Sequence, residues 1–244
     1  MPDRVLVELT IAAPADAVWE ALRDRDQLFN WFGWEAESLK EEIEYIFHTP
    51  ARRDEEKKVL FFEGVPDRFE LTDLGGRTVL RVVRAVPEGE SWEGVYQDMV
   101  EGWISFVVQL KLAMEQHDLA PRRTLYLEGA AVAGGAAPLA ALGLTEAAET
   151  PIGEPVRVML PTGDAVAGVA WHRTPWQFAV TMPQWGNGLL IVTDKSVTET
   201  SPDGRGMVIL TTYGLSDEAF SALEGRWKAW WNAKFGPPRE AACT

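Results

Sequence analysis

Thiols and histidines are scarce in this chain. Of its 244 residues one is cysteine, Cys243, and three are histidine, His48, His117 and His172. One thiol excludes a disulfide within the chain and a thiolate metal cage, and it fits a reducing compartment, so a cytoplasmic location is expected. The histidines lie far apart and form neither an HxxxH nor an HExxH spacing. No metal site, cofactor or histidine-based catalytic centre is therefore expected. Long apolar runs are missing too. Nothing reaches the roughly 18 uncharged apolar residues of a membrane span. The opening MPDRVLVELTIAAPAD lacks a basic segment followed by an apolar run, so no signal peptide is expected. Positive charge is the last shortage, with 23 Lys and Arg against 37 Asp and Glu, a formal net charge of -14. Neutralising nucleic-acid phosphates needs a basic face, so that partner is excluded. No GxSxG elbow, P-loop or strand–GxGxxG–helix is present, and no residue is assigned a catalytic role.

What is abundant is tryptophan, with 11 in the chain. Two lie in a repeated phrase: Glu101-Gly102-Trp103 opens EGWISFVVQLK, and Glu224-Gly225-Arg226-Trp227 opens EGRWKAWWNAKF. A period near half the chain points to two copies of one domain. The charge is divided unevenly between them. Residues 1–118 hold 25 acidic and 13 basic residues, a net of -12, and residues 119–244 hold 12 and 10, a net of -2. Such asymmetry serves solubility, and it also steers a cationic partner.

In the first half, Val5, Val7, Leu9 and Ile11 alternate as the buried face of a strand. Pro14 opens a helix with Val18, Trp19 and Leu22 on its apolar face. Leu28, Phe29, Trp31 and Phe32 mark a second short helix or turn. From Lys40 to Val86 the pattern predicts strands, with Ile43, Tyr45 and Phe47 alternating and Asp73-Leu74-Gly75-Gly76 as a hairpin turn. Ser91 is the candidate cap of a long helix. Its apolar stripe is Trp92, Tyr96, Met99, Trp103, Phe106 and Leu110, at steps of four and three. Pro121 breaks the chain between the halves.

The second half repeats this grammar. Strands are expected at 124–132, 156–160, 165–172, 177–181, 188–193 and 206–212, with a short helix at 138–144. Ser216 caps a final helix whose face carries Phe220, Leu223, Trp227, Trp230 and Trp231, and Gly236-Pro237-Pro238 ends it. Trp230 and Trp231 are adjacent and cannot face one point. One of them is a candidate contact to the first domain or to a second copy of the chain, which would make a homodimer.

Together these segments resemble the SRPBCC superfamily, the START-like or Bet v 1-like helix-grip fold. The opening VLVELTIAAPADAVWEALRDRDQLFNWF is similar to its first strand and helix pair, and VYQDMVEGWISFVVQLKLAMEQH to its closing helix. The nearest branch is that of activators of the Hsp90 ATPase. LTTYGLSDEAFSALEGRWKAWW carries the likeness into the second half. The resemblance implies an α+β chain of two tandem helix-grip domains, at 1–118 and 123–238. Each would be a curved antiparallel sheet wrapped around a long C-terminal helix. It also implies an apolar cavity between sheet and helix, with no shared catalytic residue.

The expected function is therefore non-catalytic binding of a small hydrophobic molecule. Trp92, Tyr96, Met99 and Trp103 would form one wall of the cavity, with Trp31 and Phe32 at its entrance. Two alternatives belong to other classes. One is a chaperone-associated module that binds a protein partner through its acidic first half. The other is an enzyme of the polyketide cyclase or hydrolase kind, which needs a polar group inside the cavity.

Overall fold

The computed structural model describes residues 3–49, 51–62, 64, 66–85, 95–195 and 204–237, with side chains undescribed at 95–99. The chain divides into two compact units, Met1–Pro121 and Arg122–Thr244. Among the described residues every strand pairing is antiparallel, and no helix is long and apolar enough to cross a membrane.

In the first unit β1 (Asp3–Ile11) lies beside β5 (Thr78–Ala85), and β4 (Asp67–Asp73), β3 (Val59–Phe61) and β2 (Arg52–Asp54) follow outward. The expected alternation of β1 holds only from Val7 onward. A bulge separates Val5, paired with Val83, from Val7, paired with Val82, so Leu6 is the extra residue. The bulge turns Val5 outward to 51% exposure while Val7 stays buried. The β4–β5 turn forms as its glycines dictate: Gly75 and Gly76 take φ of 72° and 92°, and Gly75 N donates to Asp73 Oδ1 at 2.8 Å.

Between β1 and β2 run α1 (Ala15–Ala21), α2 (Arg25–Phe29) and α3 (Leu39–Ile43), the last continuing into a π-helical turn at Glu44–His48. Pro14 is the N-cap of α1, and Val18, Trp19 and Leu22 are buried as expected. Asp24 caps α2 by accepting from Gln27 N at 2.9 Å. The strand expected through Ile43, Tyr45 and Phe47 is absent, because the operative period is helical. Leu39, Ile43 and Phe47 are buried at steps of four, and Tyr45 is 67% exposed.

Helix α4 (Val95–His117) follows β5. Ser91 and Trp92 lie outside the described residues, as do the side chains of Tyr96 and Met99.

The second unit closes its sheet in the same way. First comes β6 (Arg122–Ala131), which lies beside β11 (Arg205–Tyr213). Then β10 (Gly188–Lys195), β9 (Gln177–Met182), β8 (Ala165–Arg173) and β7 (Pro155–Met159) follow outward. The short α5 (Pro138–Ala141) and a 3-10 turn at Ala147–Glu149 lie between β6 and β7. Helix α6 (Asp217–Lys234) is capped by Ser216, whose Oγ accepts from Ala219 N at 3.2 Å.

The segment after α6 does more than stop the helix. Phe235 and Gly236 form β12 on the free side of β6. Trp231 is the inward member of the tryptophan pair, stacked on Phe235 at 4.1 Å, and Trp230 is half-buried. The turn into β10 needs Gly186: its φ is 69°, and a Cβ there would meet Tyr213 O at 1.9 Å.

Candidate binding site

An aromatic cluster occupies the first unit where α4 faces the sheet. Trp103, from the middle of α4, stacks on Phe62 at 4.7 Å and 24°, and meets Phe69 of β4 edge-on at 5.1 Å. Phe47 of the π-helical turn touches Phe62 at 5.5 Å and Phe32 at 4.8 Å, both edge-on. Trp31 closes the inner end against Phe32 and Phe47, each at 5.8 Å. Edge-to-face pairs of this kind add about 0.5–1.5 kcal/mol each beyond area burial.

Toward the outside Phe32 meets Phe106 at 4.7 Å, and Phe106 meets Trp34 at 6.0 Å. Trp34 and Phe106 are partly exposed, so apolar surface runs continuously from the core to solvent. The structure thus gathers Trp31, Phe32 and Trp103 in one cluster, with Trp31 and Phe32 deeper than the entrance position expected of them. Trp31 is fully buried, and its Nε1 donates to Ala21 O at 2.8 Å. Of the other expected wall residues, Trp92 and the side chains of Tyr96 and Met99 lie outside the described residues.

A buried ion pair orients the central ring. Arg84 of β5 stands opposite Asp67 of β4 and donates from Nε and Nη2 at 2.6 and 2.7 Å. The same carboxylate accepts from Trp103 Nε1 at 2.9 Å. Bidentate pairing to the guanidinium and the indole N–H give this buried charge the partners it needs.

The second unit repeats the device with its own tryptophan. Asp164, in the turn before β8, accepts from Trp227 Nε1 at 2.9 Å, Thr162 Oγ1 at 2.9 Å, Arg226 Nη2 at 3.0 Å and Trp185 Nε1 at 3.3 Å. Both aspartates sit at the sheet end where the last long strand leaves. Sequence reading found the repeated tryptophans and missed their acceptors. A proline precedes Asp67 and a glycine precedes Asp164, neighbours that mark turns rather than buried acceptors, and the tryptophans that donate to them are distant in sequence.

The three histidines lie on different elements, His117 at the end of α4. His48 lies in the π-helical turn, where Arg53 Nη2 is 3.1 Å from its Nδ1. Burial and then the nearby Arg25 and Arg53 lower its pKa. His172 lies at the end of β8, and burial lowers its pKa to about 4. Among the described residues no three His, Cys, Asp or Glu gather in a way that would hold a metal ion. A groove of about 520 Å³ in the first unit lies between the β1–α1 turn and the end of α4, lined by Ala12, Pro14, Gln27 and Met114 among others.

No protein-family model matches the chain, and no curated protein matches it. Solved structures similar to it include DynU16, a protein of the dynemicin biosynthetic locus, at 20% identity and a TM-score of 0.28 over 93% of this chain and 94% of that one. They also include StfQ, a di-domain ARO/CYC of the steffimycin pathway, at 14% identity and a TM-score of 0.33 over 93% and 91%. BexL, a di-domain ARO/CYC of the BE-7585A pathway, has 10% identity and a TM-score of 0.32 over 95% and 93%. TM-scores this low leave the chemistry of this chain to be argued from its own residues.

Proposed function

We propose that the chain is a tandem pair of helix-grip units, and that the first binds a small apolar molecule between α4 and its sheet. The observation that carries this reading is the aromatic path from buried Trp31, Phe32 and Trp103 out to partly exposed Phe106 and Trp34. Partly exposed rings offer a ligand apolar burial at about 25 cal/mol per Å² and flat faces to stack on. The tandem arrangement is supported by the shared strand order, with the first strand beside the last long one, and by the tryptophan–aspartate tie in each unit. Asp67 supports binding rather than acid–base chemistry, since Arg84 and Trp103 already engage both of its oxygens.

The test is titration of the protein with the neutral fluorescent probe N-phenyl-1-naphthylamine. Saturable binding is expected, weakened several-fold by Trp34→Ala with little change in thermal stability. Trp31→Ala is the poorer variant, because deleting a fully buried tryptophan costs about 3–5 kcal/mol of stability. Absence of saturable binding, or affinity untouched by Trp34→Ala, would sink the reading.

A further inference from the structure

A second pocket lies in the second unit, in a place the aromatic cluster does not involve. Its volume is about 410 Å³. That lies inside the range of roughly 300–1,000 Å³ typical of small-molecule sites. The α5 and 3-10 segments form one side, and the β8–β9 turn with the end of β10 forms the other.

Charge decides what would fit. Asp194 of β10 reaches the pocket with one oxygen held, Oδ1 accepting from Leu139 N at 2.9 Å. No cation pairs with it among the described residues, and burial raises its pKa, the sign of a carboxylate short of compensation. The pocket's own cation is already engaged. Arg173 Nη1 donates to Ala148 O at 2.6 Å and lies 3.5 Å from Glu149 Oε2. With Glu149 at the rim, the three charged groups sum to one net negative charge. The rest of the lining mixes the polar Thr174 and Gln177 with apolar Leu139, Pro175 and Phe178, and Trp176 exposes 37% of its area.

We propose that this pocket binds a small organic amine, its ammonium on the Asp194 carboxylate and its aromatic or aliphatic body against Trp176. An ammonium relieves the uncompensated charge with a charge-assisted hydrogen bond. The indole favours a cation-bearing body, through both apolar contact and its quadrupole. The net charge of -14 draws cations toward the chain.

The experiment compares phenethylamine with 2-phenylethanol, its neutral analogue, by isothermal titration calorimetry on the full chain at pH 7. Phenethylamine is expected to bind tighter, on the order of tenfold or more. Asp194→Asn keeps an acceptor for Leu139 N, and it should erase that preference while leaving 2-phenylethanol unchanged. Equal affinity for the two probes, no binding of phenethylamine at millimolar concentration, or a preference that survives Asp194→Asn overturns the proposal. A readout on the wild-type chain avoids any folding defect of the variant. The indole N–H resonance of Trp176, assigned through Trp176→Phe, must shift as phenethylamine is added, and an unmoved resonance equally overturns it.

Discussion

Trp103 and Trp227 each hand a hydrogen bond to a buried aspartate, yet the two ties differ in what stands behind them. Asp67 and Arg84 are both buried, with side-chain exposures of 0% and 5%. Asp164 is buried, but the Arg226 side chain is 49% exposed. Asp67→Asn takes a counter-charge away from a buried guanidinium, a change that costs about 3–5 kcal/mol. Asp164→Asn leaves an arginine that water can solvate, so its cost is expected at about 1–3 kcal/mol, mainly from weakened hydrogen bonds. Urea unfolding of the two variants checks the order, and an equal or reversed cost would show that burial of the arginine does not control the loss. Trp103 and Trp227 were legible from their place in two similar phrases. Their acceptors were not, because nothing local marks a charge as buried when its partners lie 17, 36 and 63 positions away.

Most elements followed from local patterns. The β6, β8, β9, β10 and β11 strands lie within two or three residues of the expected ranges, since alternation and turn chemistry agree there. The segment from Leu39 to His48 went the other way. Ile43, Tyr45 and Phe47 fit a period of two, but Leu39 and the helix-favouring Lys40, Glu41 and Glu42 set a period near four. This assignment has a direct consequence for packing. In a strand Phe47 and Tyr45 would share one face, whereas here Phe47 is fully buried and Tyr45 is solvated. Phe47→Ala is expected to cost about 3–5 kcal/mol, and Tyr45→Ala to stay within about 0.5 kcal/mol. Thermal melts of the pair decide it, and a large loss in Tyr45→Ala would restore the strand. The aromatic cluster shares this history. Its Trp31, Phe32 and Trp103 members were visible as apolar positions, but Phe47 joins them only because the helical period turns it inward.

At the scale of the whole chain two pH effects oppose one another. The net charge is -14 at pH 7 and the sequence pI is about 4.7, so acidification discharges the surface and relaxes self-repulsion. His172 acts in the opposite sense. Its folded pKa of about 4 lies below the ordinary 6.5, so the unfolded chain binds a proton that the folded chain refuses. Stability from this group is complete above pH 6.5 and is lost as pH falls toward 4, by up to about 3 kcal/mol. Asp194 has a raised pKa and works against that loss, because its folded form holds a proton more tightly as acid is added. Range separates the effects. Surface repulsion is spread over exposed carboxylates and is damped beyond about 8 Å at physiological salt, while the penalty on His172 is local and survives salt. In 0.15 M NaCl the urea midpoint is therefore expected to fall between pH 7 and pH 4.5. His172→Gln, which carries no titrating group, should flatten that fall or turn it into a rise. If wild type and His172→Gln lose stability in parallel, His172 is not the group that acid must charge, and the loss belongs to carboxylates such as Asp3, Asp16, Glu44 and Glu55, whose ion-pairing and hydrogen-bond partners hold their pKa values low.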